Sequence, residues 1–117
     1  MIRGIGIDII EKKRIEGVMK RQPRFPHRIL TPAEIKEYSQ FPSKRKIEYL
    51  AGRFAAKEAY AKARGIGIGK ELSFQSIEVQ KDSFGKPYFS KPVSKGVHLS
   101  ISHSEEFVVA QAIIEEI

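Results

Sequence analysis

From Arg3 to Ile10, apolar residues alternate with small or polar ones. Ile5, Ile7 and Ile9 share one face, and Gly4, Gly6 and Asp8 share the other. That period predicts a strand, with Asp8 on its polar face. The next segment changes period: Ile15, Val18 and Met19 form a helical stripe, which Pro23 and Pro26 interrupt. Thr31-Pro32-Ala33-Glu34 combines a hydroxyl cap, a proline at the first helical position and a glutamate at the third position after the cap, and so predicts a helix start. Ser43 is placed to cap a longer helix from about Lys44 to Arg64, with Gly65 ending it. After Gly69 the alternation of strands returns. Phe74–Lys81, Lys86–Phe89, Val97–Ser102 and Phe107–Ile114 read as strands, the last the most fully buried, with a turn at Asp82-Ser83-Phe84-Gly85. Helices early and strands late, with one strand at the start, predict an α+β fold. In it, an antiparallel sheet packs against the long helix. No repeat or linker divides the chain, so residues 1–117 are expected to form one domain.

Composition narrows the class. With 41% hydrophobic and 30% charged residues the chain is ordinary for a globular protein, which excludes a disordered one. Absence of cysteine removes disulfides, thiolate metal sites and a cysteine nucleophile together, and fits a reducing compartment. No apolar run approaches the roughly 18 residues of a membrane span, and Met1-Ile2-Arg3-Gly4 leads into a strand instead of a signal peptide. The expectation is a cytoplasmic protein with no membrane association.

Charge adds the first functional clue. The net charge is +7, and the excess is concentrated between Lys12 and Arg28. There Lys12, Lys13, Arg14, Lys20, Arg21, Arg24 and Arg28 are opposed only by Glu16. Such a field attracts an acidic protein, a nucleic acid or a polyphosphate.

The long helix carries apolar residues on two sides. Leu50, Phe54 and Ala61 form one stripe, and Tyr49, Ala56, Tyr60 and Ala63 form another. Arg53, Lys57 and Arg64 lie between them on one side, while Glu58 and Lys62 share a second polar strip, one turn apart. A helix packed on two sides holds its charges in crevices. For Glu58 and Lys62 the plainer alternative is an exposed pair worth only about 0.3–0.5 kcal/mol. Gly65-Ile66-Gly67-Ile68-Gly69-Lys70 lacks the spacing of a phosphate loop and reads as a helix stop followed by a flexible connection. Ser100-Ile101-Ser102-His103-Ser104 places a histidine and hydroxyls at a strand end, suited to phosphate or ribose contact and not to nucleophilic catalysis.

Taken in order, Gly4-Ile5-Gly6-Ile7-Asp8, Arg53-Phe54-Ala55-Ala56-Lys57-Glu58-Ala59, Gly85-Lys86-Pro87 and Ser100-Ile101-Ser102-His103-Ser104 resemble the holo-[acyl-carrier-protein] synthase family of small phosphopantetheinyl transferases. The resemblance spans nearly the whole chain. It implies transfer of the phosphopantetheine arm of coenzyme A to a serine of apo acyl carrier protein in fatty-acid synthesis, with release of adenosine 3′,5′-bisphosphate. It further implies a homotrimer with active sites between subunits. By the same resemblance Asp8 and Glu58 are Mg²⁺ ligands, with Mn²⁺ as an alternative ion. Mg²⁺ is commonly held by one or two carboxylates plus substrate phosphates. Lys62 lies against the same oxygens and, with Glu58, forms the catalytic pair. Arg45, Arg53, Lys57, His103, Gly65 and Gly85-Lys86-Pro87 are candidates for the remaining contacts to coenzyme A. Arg14, Arg21, Arg24, Phe25 and Arg28 are candidates for the acidic carrier protein. The serine nucleophile belongs to the partner, and its proton passes either to Glu58 or to a metal-bound water. Larger two-domain relatives carry a second acid where this chain has Ile10, so a water is expected in place of that ligand, in keeping with the small oligomeric class. The alternative from another class, a small basic nucleic-acid-binding module, has only Phe25 for stacking within the basic window and matches no standard recognition motif.

Overall fold

The computed structural model describes residues 1–116, beginning with strand β1 (Ile2–Glu11), which runs directly into helix α1 (Lys12–Arg21). Short helices α2 (Phe25–Ile29) and α3 (Pro32–Tyr38) lead to the long helix α4 (Ser43–Arg64). A 3-10 turn at Phe74–Ser76 precedes β2 (Glu78–Lys81), β3 (Pro87–Lys91), β4 (Val97–His103) and β5 (Phe107–Glu115). The fold is α+β, as expected. Its strands form two antiparallel sheets: a three-stranded sheet in the order β1-β5-β4 and a two-stranded β2-β3 ribbon.

Helix α4 is the axis of the molecule. One side packs on β1 and β5, while Tyr60 meets Phe89 of β3 at 5.0 Å between ring centroids. Its residues Tyr49–Arg53, Ala55–Lys57 and Ala59–Ala61 are buried, so both apolar stripes are used inside one chain. The close approach to β1 depends on glycine. A Cβ added at Gly6 would stand 1.9 Å from the carbonyl oxygen of Ala59, and one at Gly4 would stand 2.0 Å from that of Ala63. Only residues without a side chain let the strand lie this near the helix backbone.

This contact decides which face of β1 turns inward. The face carrying Gly4, Gly6 and Asp8 turns inward to α4, whereas Ile5, Ile7 and Ile9 are 57%, 56% and 61% exposed. β5 lies at the centre of its sheet, but only Val108, Ala110 and Ala112 are buried. It is therefore covered on one face.

Local chemistry explains the element boundaries. Thr31 accepts from the Glu34 N–H at 3.3 Å, and Glu34 Oε1 accepts from the Thr31 N–H at 2.8 Å, closing the expected capping box. Gly65 ends α4 in the left-handed region at φ 76°. Ser43 does not cap α4. It is the first helical residue, and Pro42 occupies the cap position without a side-chain bond. Phe74–Ser76 is not strand, because Ser73 and Ser76 cap each other and close a 3-10 turn. Pro26 sits within the first turn of α2, where its missing N–H costs nothing, so it starts a short helix as well as ending the preceding pattern.

Candidate active site

The inward face of β1 carries Asp8 to the side of α4 that presents Glu58 and Lys62. Lys62 Nζ donates to Asp8 Oδ1 at 3.0 Å and to the Ile7 carbonyl at 2.9 Å. The lysine thus bridges to the strand, and the exposed Glu58–Lys62 pair is not the contact that forms. Asp8 and Glu58 line one cleft of about 370 Å³ with Ile10, Arg14, Phe25 and Phe54. Burial raises the Glu58 carboxyl above its ordinary range, and the Asp8 charge adds to this, while Lys62 partly offsets both.

The donor chemistry here suits a hard divalent cation. Two carboxylates converge, and among the described residues no cluster of three His, Cys, Asp or Glu side chains adds a further ligand. Mg²⁺ fits such a half-open site because it keeps waters and accepts substrate phosphate oxygens. Ile10, two residues beyond Asp8, is buried in the core and offers no oxygen.

A second cleft, of about 190 Å³, gathers other candidates. Arg45, Arg53, Gly85, Pro87 and His103 line it together with Glu48. Arg53 is 4% exposed, with its guanidinium carbon 4.1 Å from the Tyr49 ring centre and its Nε buried without a hydrogen-bond partner. Lys86 is exposed on the adjoining turn, and its N–H is taken by Asp82. Gly65 lies instead three residues beyond Lys62, near the first cleft's end of α4.

Lys57 requires a correction. It is 0% exposed, with Nζ 2.7 Å from Glu34 Oε1 and 2.6 Å from the Ile29 carbonyl. Its charge is used to neutralise a buried carboxylate, so it is not available to a phosphate of coenzyme A. Glu34 also accepts from the Val79 N–H at 2.8 Å, which makes the pair a joint between α3, α4 and β2. Sequence reasoning saw Glu34 as a capping residue and missed this second role.

Glu48 was missed as well. Its carboxylate meets Arg45 at 2.5 Å, Lys12 at 3.0 Å and His103 at 3.3 Å. The spacing of Arg45 and Glu48 was visible in the sequence; the long-range partners were not.

The basic candidates divide between the first cleft and the surface. Arg14 and Phe25 line the Asp8–Glu58 cleft, and Phe25 packs against Phe54 at 6.1 Å between ring centroids. Arg21, Arg24 and Arg28 are exposed on the same stretch of chain.

The two clefts share no lining residue. Arg45 and Glu58 are thirteen residues apart on α4, about 20 Å along the axis at about 1.5 Å per residue.

Comparison with known proteins agrees with the residue pattern. The model of the 4′-phosphopantetheinyl transferase superfamily matches residues 4–112. The holo-[acyl-carrier-protein] synthase of Anoxybacillus flavithermus is 58% identical over 100% of this chain and 98% of its own length. A crystal structure of the Bacillus anthracis holo-(acyl-carrier-protein) synthase, in complex with CoA (3′,5′-ADP), superposes with a TM-score of 0.90 at 54% identity, covering 97% of this chain and 96% of that one. The Helicobacter pylori synthase, in complex with coenzyme A, gives 0.82 at 36% identity, covering 95% and 99%. These relatives favour the transferase reading over the nucleic-acid-binding module. The chain belongs to the 4′-phosphopantetheinyl transferase superfamily, among the holo-[acyl-carrier-protein] synthases.

Proposed function

We propose that this enzyme transfers the 4′-phosphopantetheine arm of coenzyme A to a serine of apo acyl carrier protein, in support of fatty-acid synthesis in the cytoplasm. The observation that carries the reading is the convergence of Asp8, Glu58 and Lys62 where β1 crosses α4. The partner's serine oxygen forms a bond to the phosphorus that bears pantetheine, and the bond from that phosphorus to the bridging oxygen breaks. Adenosine 3′,5′-bisphosphate leaves. Glu58, in the cleft it shares with Asp8, is a candidate to receive the serine proton. Lys62 stands beside Asp8, where its charge faces the pyrophosphate. Mg²⁺ held by Asp8 and Glu58, with Mn²⁺ as a substitute, would offset the charge on the leaving phosphate.

Arg45, Arg53 and His103 serve the nucleotide end of coenzyme A, beside Gly85-Lys86-Pro87. Arg45 of that cleft lies about 20 Å along α4 from Glu58, and in the proposed assembly the complete site joins the first cleft of one subunit to the second cleft of another. Support for assembly comes from β1: the Ile5, Ile7 and Ile9 row, flanked by Val109 and Ile113 of β5, is an apolar face left open. The family resemblance supplies the number three. The two apolar stripes of α4 are satisfied within the chain. Arg14, Arg21, Arg24, Phe25 and Arg28 offer the acidic carrier protein a basic surface with one aromatic anchor beside Glu58.

The test is mass spectrometry of an apo carrier protein incubated with enzyme, coenzyme A and Mg²⁺. A gain of one phosphopantetheine on serine supports the reading. An unchanged carrier protein contradicts it.

A further inference from the structure

Coenzyme A carries two separate anionic groups, the pyrophosphate that reacts and the 3′-phosphate that does not. The chain likewise has two charged clefts, one around Asp8 and Glu58 and one around Arg45 and His103. Within the second, Glu48 is the one acidic residue among Arg45, Arg53, Lys81 and His103.

Its position is unusual for an anion beside an anion site. Arg45 Nη1 donates to Glu48 Oε1 at 2.5 Å, Lys12 Nζ donates to Oε2 at 3.0 Å, and His103 Nδ1 lies 3.3 Å from the same Oε2. The Glu48 side chain is 23% exposed, whereas those of Arg45 and His103 are 36% and 53% exposed. The carboxylate is therefore more buried than the Arg45 and His103 side chains it meets. Phe41 steadies Arg45 from another side, its ring centre 5.1 Å from the guanidinium carbon. Lys12 is anchored in turn, since its N–H donates to the Glu106 carbonyl at 2.8 Å where β1 passes into α1. Burial alone would push the Glu48 carboxyl up, but Lys12, His103 and Arg45 together pull it below its ordinary range, so it is ionised at neutral pH.

We propose that Glu48 is a positioning residue that holds Arg45 and His103 in the geometry that receives the 3′-phosphate of coenzyme A, with Lys12 as its anchor. Two flexible side chains fixed by a shared carboxylate lose less freedom when a phosphate arrives, and this preorganisation is expressed as affinity. The inference rests on the proposed function and adds a residue that never touches the substrate.

The experiment compares coenzyme A with dephospho-coenzyme A, which lacks only the 3′-phosphate, in the wild type, Glu48→Ala, Glu48→Gln and Lys12→Ala. Glu48→Ala is expected to raise the KM for coenzyme A about tenfold while leaving the KM for dephospho-coenzyme A and both kcat values within about twofold. A tenfold change corresponds to about 1.4 kcal/mol. Glu48→Gln, which keeps an acceptor, and Lys12→Ala should give smaller rises of the same selective kind. Calorimetry with adenosine 3′,5′-bisphosphate should show the matching loss of affinity without turnover. Equal rises for both nucleotides would mean general destabilisation and overturn the proposal, as would tighter binding of coenzyme A by Glu48→Ala, which would make Glu48 a competitor for Arg45 and His103. If the wild type transfers nothing from either nucleotide, the proposed function itself fails. The calorimetric comparison then still reports on Glu48.

Discussion

Lys62 reaches across from α4 to Asp8 of β1, Nζ to Oδ1 at 3.0 Å, instead of pairing with Glu58 one turn away on its own helix. The contact leaves Glu58 without a hydrogen-bonded cation; burial raises its proton affinity, and the Asp8 charge adds to this. Two acids kept close, with one lysine shared toward the strand, are costly for folding and useful for holding a cation.

Removing either acid should therefore separate stability from activity. Glu58→Gln and Asp8→Asn are each expected to lower kcat at least about a hundredfold, in the range of a lost acid–base or metal contact. Glu58→Gln also removes a like-charge contact, so its melting temperature should not fall. Steady-state kinetics across Mg²⁺ concentrations, together with thermal melting, check both statements.

The strand–helix contact behind this site makes a purely structural prediction. Gly6→Ala places a Cβ 1.9 Å from the Ala59 carbonyl oxygen, which belongs to a helix backbone that cannot step aside. The expected loss is at least the roughly 1–3 kcal/mol of an overpacked core, measurable by urea denaturation. Gly67→Ala, where nothing lies within 4 Å of the added carbon, is the control and should cost less than about 0.5 kcal/mol.

How much of this was legible follows from the range of the interactions. The capping box of α3 and the stop at Gly65 are local, and the sequence shows them directly. The doubly packed α4 was legible from its two stripes, although what fills each side was not. The buried face of β1 stays open in the sequence because alternation gives two faces without saying which is inside. Gly4 and Gly6 decide it through contact with Ala63 and Ala59, more than fifty residues away. Asp8 and Glu58 came from motif resemblance, and Lys57, in the same motif, was misassigned because its partner Glu34 comes from a different helix. Glu48 was invisible for the same reason: Lys12 and His103 are brought to it only by the fold.

Glu78 yields a pH prediction. Burial would raise its carboxyl, but hydrogen bonds from Thr31 and Ser90, the Lys91 charge and a bond from Gln80 together hold it below the ordinary range. A carboxyl depressed in the folded state adds stability above its unfolded pKa of about 4.3, and that contribution disappears as pH falls through the folded value. Acidification below about pH 5 should thus erode wild-type stability partly through Glu78. Glu78→Gln should cost about 1–3 kcal/mol at neutral pH and show a shallower acid slope. Denaturation at a series of pH values checks this, and an unchanged slope would count against it.

The basic surface on α1 and α2 predicts a selective kinetic effect. Arg21→Glu and Arg24→Glu lie on exposed positions, and reversing either should raise the KM for the carrier protein several-fold and weaken its salt dependence. The KM for coenzyme A should stay within about twofold. Initial rates at varied ionic strength distinguish this from a general loss of activity.

In the proposed assembly one working site combines Asp8 and Glu58 of one subunit with Arg45 and His103 of another. Subunit mixing tests it most directly. Glu58→Gln and His103→Ala proteins, each nearly inactive, are dissociated, combined and reassembled, and phosphopantetheine transfer is measured. Shared sites predict that activity returns well above the sum of the parents, because some interfaces pair an intact Glu58 with an intact His103. Activity no greater than that sum, or a monomeric mass by light scattering at the assay concentration, would contradict the account.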